Sequence, residues 1–233
     1  MMKKVAVVFT GGTISMKVDP RLKAAIPSMS SQDIMSMVTN IDQIAELDIV
    51  EFGALPGPHM TPEKMMELKQ VVENKLKQED ISGVVVTHGT DNLEETAYLL
   101  DLTLSSEKPV VVVGAMRNGS ELGYDGPSNL AAAICTAAHE NSRGKGVLVV
   151  LNNEVNTARE VTKTHTMSLD TFKSPEFGPI GIVDQDEVIY YHKSSAPTPH
   201  IETNQIESDV HLLKAVSGMD STILNFLVSQ NVK

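Results

Sequence analysis

The chain has 233 residues, which is long enough for one large domain and part of a second. Its 30 acidic and 19 basic residues give a formal net charge of −11, which disfavours nucleic acid and anionic membrane surfaces as partners. Because aromatic residues make up only 4% of the chain and tryptophan is absent, we expect a core of aliphatic side chains and methionine.

The hydropathy pattern argues against two kinds of targeting segment. The apolar run that follows Lys3 and Lys4 is shorter than a secretory signal requires. No run approaches the ~20 apolar residues of a membrane span. We therefore expect a soluble, cytoplasmic protein.

Residues 1–150 alternate strand-type and helix-type segments. Helix starts are recognised at 30–33 and at Thr61, where Pro62 suits the first helical position. The alternation predicts an α/β fold with a mostly parallel sheet flanked by helices. The predicted strands lie near 4–9, 47–52, 82–87, 109–114 and 146–151, and further helices near 93–104 and 127–140.

The pattern changes after residue 151. Two short strand-type runs within 179–191 predict a hairpin, and the polar stretch that follows is interpreted as a linker. The last residues contain a predicted strand at 210–216 and a predicted helix that opens at Asp220, but so short a piece cannot enclose a core of its own. The predicted organisation is an N-terminal domain over 1–191, a linker over 192–208, and the beginning of a second domain over 209–233.

Two similar threonine-bearing segments follow predicted strands. Thr10-Gly11-Gly12-Thr13 comes after the first strand, and Thr87-His88-Gly89-Thr90 comes after the strand at 82–87. Ligands of open parallel sheets lie at the carboxyl ends of the strands, so the two segments can face each other across a small substrate, with one threonine as a nucleophile. The first segment lacks the ending of a phosphate-binding loop and the third glycine of a dinucleotide fingerprint, although a tight turn or a weak anion cradle stays possible.

Three further residues each have two interpretations. Asp91 can take a positively charged ligand group, or it can cap the next helix, whose N-terminus Glu94 and Glu95 favour. His88 is interpreted as a packed or backbone-bonded histidine rather than as a base. A threonine nucleophile needs a proton acceptor, and a desolvated lysine can serve. The candidate is Lys163 in a polar segment, although an isolated lysine is more often a solvated surface residue.

Several motifs occur in order along almost the whole chain: Thr-Gly-Gly-Thr-Ile at 10–14, Thr-His-Gly-Thr-Asp at 87–91, and the segments 94–98, 108–117, 125–130, 161–164 and 171–174. Together they resemble the bacterial-type, two-domain L-asparaginases of the asparaginase/glutaminase family. The resemblance implies a large N-terminal α/β domain joined by a linker to a smaller flavodoxin-like C-terminal domain, of which this chain holds only the start.

The resemblance also implies a mechanism that needs no metal and no cofactor. Thr13 would attack the side-chain carboxamide of L-asparagine, releasing ammonia and leaving an acyl-enzyme ester that water hydrolyses to L-aspartate. Lys163 would assist proton removal by way of Thr90, while Asp91 would orient this group and hold the substrate α-ammonium. Backbone amides near Gly12 and Thr90 are candidate oxyanion donors. The expected substrate-binding residues are Gly12, Gly57, Pro58, His59, Thr90, Asp91 and Ala115.

The sequence departs from the family pattern in three places. Residues 15–29 contain no tyrosine, although a loop tyrosine often supports the nucleophile in the family. The stretch 57–60 lacks the usual polar side chains for the substrate carboxylate, so His59 or backbone amides are expected to substitute. The residues that a neighbouring subunit's C-terminal domain contributes to the site in this family are also missing.

Three functions are therefore considered. The first is an amidohydrolase acting on L-asparagine, with L-glutamine as a further candidate substrate, assembled as a homodimer or homotetramer. The second is a non-catalytic fragment or remnant of such an enzyme, and the third is a phosphate or nucleotide binder that uses residues 10–13. The unbroken set of catalytic positions favours the first.

Overall fold

A computed structural model describes residues 2–192 and 199–232. Most of its strands belong to one mixed sheet, which is covered on one face by the helix at 126–138 and on the other by the helices at 62–76 and 93–103. The strands are β1 Lys4–Gly11, β2 Met16–Asp19, β3 Ala24–Pro27, β4 Glu46–Leu55, β5 Ile81–Thr87, β6 Val110–Val113, β7 Val147–Leu151, β8 Glu154–Thr157, β9 Thr162–Lys163, β10 Phe172–Lys173, β11 Gly181–Asp184 and β12 Glu187–Tyr190. The helices are α1 Ser31–Met35, α2 Ile41–Ile44, α3 Pro62–Leu76, α4 Leu93–Thr103, α5 Gly126–Ala138 and α6 Thr222–Ser229.

The main sheet has the strand order β12-β11-β8-β7-β6-β5-β1-β4. The five strands from β7 to β4 run parallel, and β8, β11 and β12 extend the sheet with antiparallel pairings. The predicted α/β class, the mostly parallel sheet and the hairpin within 179–191 are confirmed. The carboxyl ends of β1 and β5, which are neighbours in the sheet, bring the two threonine segments to one edge.

The central strands are apolar at successive positions because both of their faces are buried. In β1, Val5 and Val7 belong to the core cluster under α5, whereas Ala6 and Val8 belong to the cluster under α3 and α4. The side chains of a strand alternate between its two faces, so a strand covered on both sides shows no polar alternation. This is why the valine-rich runs of the sequence identify the centre of the sheet.

Both predicted helix starts are confirmed. In α1, the Ser30 hydroxyl accepts a hydrogen bond from the Asp33 amide, and the Asp33 carboxylate accepts one from the Ser30 amide, which forms a capping box. In α3, the Thr61 hydroxyl accepts from the Lys64 amide at 3.4 Å, with Pro62 at the first helical position. These caps satisfy backbone donors that would otherwise lack partners at the helix ends.

The antiparallel strand β8 was not anticipated from the sequence. It follows β7 through a two-residue turn at Asn152 and Asn153, whose φ angles are 51° and 61°. Asparagine tolerates this left-handed conformation, and two consecutive residues of this kind give the type I′ turn that suits a tight hairpin. The turn sends the chain back along the sheet and then into β9, which carries Lys163.

The C-terminal residues differ from the prediction in one element. No strand forms over 210–216, although these residues are described, whereas α6 begins after Ser221 as predicted. An extended segment needs a neighbouring strand to pair its backbone groups, and none of the described strands lies beside this one. Part of the predicted linker, 193–198, lies outside the described residues, and the division into domains stays a prediction. No helix in the described part of the chain is long and apolar enough to cross a membrane.

Candidate active site

The two threonine segments lie in direct contact at the edge of the sheet. The Thr10 hydroxyl donates a hydrogen bond to the Thr87 carbonyl oxygen at 2.6 Å, and the Thr10 amide donates to the Thr87 hydroxyl at 3.3 Å. Farther along, a Cβ atom at Gly12 would lie 2.4 Å from the Gly89 amide nitrogen. The residues immediately before Thr13 and Thr90 therefore pack backbone to backbone, which agrees with the predicted facing arrangement.

Gly12 gives the chain the turn that presents Thr13. Its φ of 81° and ψ of −178° belong to a region that is open essentially to glycine alone. Thr13 then begins a short 3-10 turn that ends at Ser15, whose amide and hydroxyl both donate to the Gly12 carbonyl oxygen. Thr13 itself is half-buried, and no described residue forms a hydrogen bond with its hydroxyl. This hydroxyl is free to meet a ligand.

The backbone amides near Gly12 are not equivalent. The Gly12 amide donates to the Leu55 carbonyl oxygen at 2.8 Å, so it is engaged within the protein. The predicted oxyanion donor near Gly12 is therefore a neighbouring amide rather than that of Gly12 itself, and one amide fewer is available for a phosphate cradle. The amides of Thr13 and Thr90 have no hydrogen-bond partner among the described residues, so both can donate to an incoming oxygen atom.

Thr90, Asp91 and Lys163 form a connected group. The Lys163 ammonium donates to the Thr90 hydroxyl at 2.9 Å and to Asp91 Oδ1 at 2.9 Å. The Lys163 side chain is 15% exposed and the Asp91 side chain 64% exposed, so Asp91 also faces solvent and can meet a second cation. The residue that caps α4 is Asn92, not Asp91, so the helix-cap interpretation of Asp91 is wrong.

His88 is a packed histidine, as expected. Its Nδ1–H donates to the Gly89 carbonyl oxygen at 2.8 Å, which leaves Nε2 to accept from the Thr96 hydroxyl at 2.9 Å. Burial lowers the pKa of His88 to about 4, because the charged ring would have to give up its hydration. The neutral ring therefore ties the turn before Thr90 to helix α4, and both of its nitrogens are already engaged.

Glu94 links the strand that bears Lys163 to helix α4. One carboxylate oxygen, Oε2, accepts from the Lys163 amide at 2.5 Å, and the other, Oε1, accepts from the Thr162 hydroxyl at 3.0 Å. Glu94 also lines an open cleft of about 500 Å³ together with Asp91, Lys163, Thr164, His165 and Thr166. The sequence analysis assigned Glu94 only to the helix N-terminus and did not predict its contact with residues 162 and 163. The available signal for a role at the site was its position three residues after Asp91. Within 2–192 and 199–232, no group of three or more His, Cys, Asp or Glu side chains is arranged to hold a metal ion.

The stretch predicted to bind the substrate carboxylate also reaches this edge. Gly57 is buried against the second threonine segment, since a Cβ atom on Gly89 would lie 2.4 Å from the Gly57 Cα. Pro58 and His59 are exposed in the 3-10 turn that Gly57 begins. The His59 amide donates to the Pro56 carbonyl oxygen, so in this turn the exposed His59 side chain and the Gly57 amide are the candidates to replace a missing polar group.

Ala115 lies in a buried turn that packs on Thr90. A Cβ atom at the preceding Gly114 would lie 2.9 Å from the Thr90 methyl carbon. Two residues of the 125–130 motif, to which the sequence analysis gave no role, hold this turn. Asp125 accepts from the amides of residues 116 and 117, and the Asn129 side chain donates to the Gly114 carbonyl oxygen at 3.0 Å. These contacts give a structural reason for the 125–130 motif.

A tyrosine outside residues 15–29 supports the nucleophile segment. The Tyr124 hydroxyl donates to the carbonyl oxygen of Ile14, the residue after Thr13. Burial raises the pKa of Tyr124, so its hydroxyl stays protonated and continues to donate. The loop that lacks a tyrosine forms the β2–β3 hairpin instead. Its Met16 carbonyl oxygen accepts a hydrogen bond from the Gly119 amide at 2.9 Å. Thr13 is therefore anchored from the 114–125 side of the site.

Comparison with known proteins decides the family. Residues 4–196 match the family described as "Asparaginase, N-terminal". The chain belongs to the asparaginase family. It is 36% identical over 223 residues to "Probable L-asparaginase 4" of Schizosaccharomyces pombe and 39% identical over 193 residues to "L-asparaginase" of Bacillus licheniformis. It also superposes on the crystal structure of a probable cytoplasmic L-asparaginase from Campylobacter jejuni with a TM-score of 0.87 at 31% identity.

The matches cover nearly all of this chain but not all of the relatives. They include 94% and 83% of the chain against the Schizosaccharomyces and Bacillus asparaginases, and 99% against the Campylobacter structure. The same alignments span 61% and 60% of the two curated asparaginases and 72% of the solved chain. The comparison therefore concerns the asparaginase N-terminal region above all.

Proposed function

We propose that this chain is an amidohydrolase that converts L-asparagine to L-aspartate and ammonia through an ester on Thr13. The observation that carries the proposal is the contact of the Lys163 ammonium with both Thr90 and Asp91, in a segment that packs against Gly12, the residue before Thr13. Membership in the asparaginase family and the names of the aligned relatives support the same substrate class.

In the proposed first step, the Thr13 oxygen attacks the carboxamide carbon, and its proton passes by way of the Thr90 hydroxyl to Lys163, which accepts it as an uncharged amine. The carbon–nitrogen bond then breaks, and the departing nitrogen takes a proton and leaves as ammonia. The oxygen that gains negative charge is held by the Thr13 and Thr90 amides, a type of contact that often contributes a few kcal/mol to the rate. Water next attacks the ester carbon and gives one proton to the Thr13 oxygen, and the bond between that oxygen and the carbon breaks to release L-aspartate.

The carboxylate of Asp91 would orient Lys163 and hold the substrate α-ammonium on its exposed side. Gly57, Pro58 and His59 would surround the substrate carboxylate, and Gly12 and Ala115 would shape the pocket through their backbones. L-Glutamine is the alternative substrate. We also infer a cytoplasmic location, which is the location in the name of the Campylobacter relative, and an assembly of two or four identical subunits, which the family resemblance implies.

The test is ammonia release from L-asparagine by the purified 233-residue chain. Thr13→Ala, Thr90→Val and Lys163→Met are expected to abolish it, whereas Thr13→Ser keeps a nucleophilic hydroxyl and is expected to retain part of it. Lys173→Met is the matched control, because Lys173 lies on the strand paired with β9 but forms its ion pair with Glu154.

Activity that survives Thr13→Ala would remove Thr13 as the nucleophile. A folded wild-type chain without activity would instead favour the non-catalytic fragment. In that case, a thermal-shift measurement with L-aspartate would establish whether the site still binds the product.

A further inference from the structure

The backbone of Lys163 has little support from the main sheet. It lies on β9, a strand of only two residues that pairs with β10 in a separate two-stranded sheet. The Lys163 ammonium reaches Thr90 and Asp91 through a long side chain with several rotatable bonds. The position of its backbone therefore decides whether the ammonium arrives at the right place.

Glu94 supplies the missing support. Its two carboxylate oxygens accept from the Lys163 amide and from the Thr162 hydroxyl, at 2.5 and 3.0 Å. Among the described residues, no other hydrogen bond joins the backbone of β9 to the segment from Thr90 to Thr96. Hydrogen bonds to an ionised carboxylate are about twice as strong as neutral ones, and two of them fix direction as well as distance.

We propose that Glu94 is a positioning residue that fixes the backbone of Lys163, so that its ammonium meets the Thr90 hydroxyl. The proposal rests on the proposed function, in which Lys163 acts through Thr90. Glu94 lies in the first turn of the helix that follows Thr90 and Asp91, so one short continuous segment contacts both the backbone and the ammonium of Lys163. A displacement of about 1 Å at such a group can lower the rate by about 100-fold.

The chemistry of the contact decides which substitution is informative. Both partners of Glu94 donate, one to each oxygen. Glutamine could keep both contacts, because its oxygen can accept from the Lys163 amide while its NH2 group donates to the Thr162 hydroxyl. Glu94→Met removes both acceptor oxygens and keeps an unbranched side chain of similar length. Glu95→Met is the matched control, because Glu95 is exposed, lies in the same helical turn and loses the same charge.

The first measurement is the steady-state kinetics of ammonia release for both variants and for Thr162→Val. For Glu94→Met we expect kcat to fall by about 10- to 100-fold with a much smaller change in KM, since the substrate contacts are untouched. Thr162→Val removes only one of the two contacts and should give a smaller loss. Glu95→Met should retain the wild-type kcat, and urea unfolding of each variant excludes a general loss of the fold.

The second measurement does not depend on turnover. It is the rate at which Lys163 is acylated by an amine-reactive ester, followed by peptide mass spectrometry with the exposed Lys77 as an internal reference. Lys163 is mostly buried and paired, so Glu94→Met should raise its labelling rate several-fold, and Glu95→Met should not. An unchanged labelling rate in Glu94→Met, or an unchanged kcat in an active enzyme, overturns the proposal. If the wild type releases no ammonia, the proposed function fails, but the labelling comparison still decides whether Glu94 positions Lys163.

Discussion

Replacing Gly12 with alanine should push the two threonine segments apart and lower the free energy of unfolding by a large part of its total. The added Cβ atom would lie 2.4 Å from the Gly89 amide nitrogen and 2.5 Å from its Cα, where ordinary contacts begin at 3.4 Å. The backbone at Gly12 has φ 81° and ψ −178°, a conformation that costs other residues about 1–3 kcal/mol. Relief of the overlap adds about 1–3 kcal/mol. We therefore expect the free energy of unfolding to fall by about 2–6 kcal/mol, from a total that is typically about 5–15 kcal/mol.

The control for this substitution is Gly57→Ala in the same cluster. A Cβ atom there would meet its nearest neighbours at 3.4 to 3.6 Å, and Gly57 has no left-handed φ. Its unfolding free energy should change by no more than about 0.5 kcal/mol. Urea titration followed by circular dichroism measures both variants. Equal stability of Gly12→Ala and Gly57→Ala would refute the argument that close backbone packing forms the site.

Three further predictions concern residues around the site. Because burial lowers the pKa of His88 from 6.5 to about 4, its neutral form stabilises the fold fully above pH 6.5, and this contribution is lost as the pH falls toward 4. His88→Gln should therefore reduce the loss of unfolding free energy between those pH values by about 3 kcal/mol, and an unchanged pH dependence would contradict this. Tyr124→Phe removes the hydrogen bond to Ile14 and should lower the unfolding free energy by about 1 kcal/mol and kcat severalfold, whereas wild-type kinetics would show that this anchor is dispensable. Asn129→Asp replaces a donor to Asp125 with a second carboxylate. In the same urea assay it should lower the free energy of unfolding by about 1–3 kcal/mol near neutral pH and by less in acid. A loss that does not depend on pH would argue against charge repulsion.

The sequence predicted the centre of the fold because its physical signals are local. The valine runs of β5, β6 and β7 are buried on both faces, and the caps at Ser30 and Thr61 mark helix starts with residues a few positions apart. The strand predicted over 210–216 has the same local signal but no partner in the described structure. Strand formation depends on a neighbour, which a local pattern does not contain.

The candidate site was partly predictable for the same reason. Thr13 and Thr90 follow strands that are neighbours in the sheet, so the sheet edge alone brings them together. Lys163 lies on a two-residue strand that the chain reaches only after the β7–β8 hairpin. Its approach to Thr90 therefore depends on the course of the chain through β8, which no local pattern encodes. The same holds for Tyr124, whose contact with Ile14 joins residues 110 positions apart.

The most direct test of the account is a search for the covalent ester on Thr13. The chain would be mixed with L-asparagine, quenched in acid within the first turnovers, digested and mapped by mass spectrometry, with Thr13→Ala and Lys163→Met in parallel. The account predicts that the peptide containing Thr13 gains the mass of one aspartyl group in the wild type and in neither variant. An active wild-type enzyme whose aspartyl group is found on another residue, or that still forms the adduct in Thr13→Ala, would contradict it.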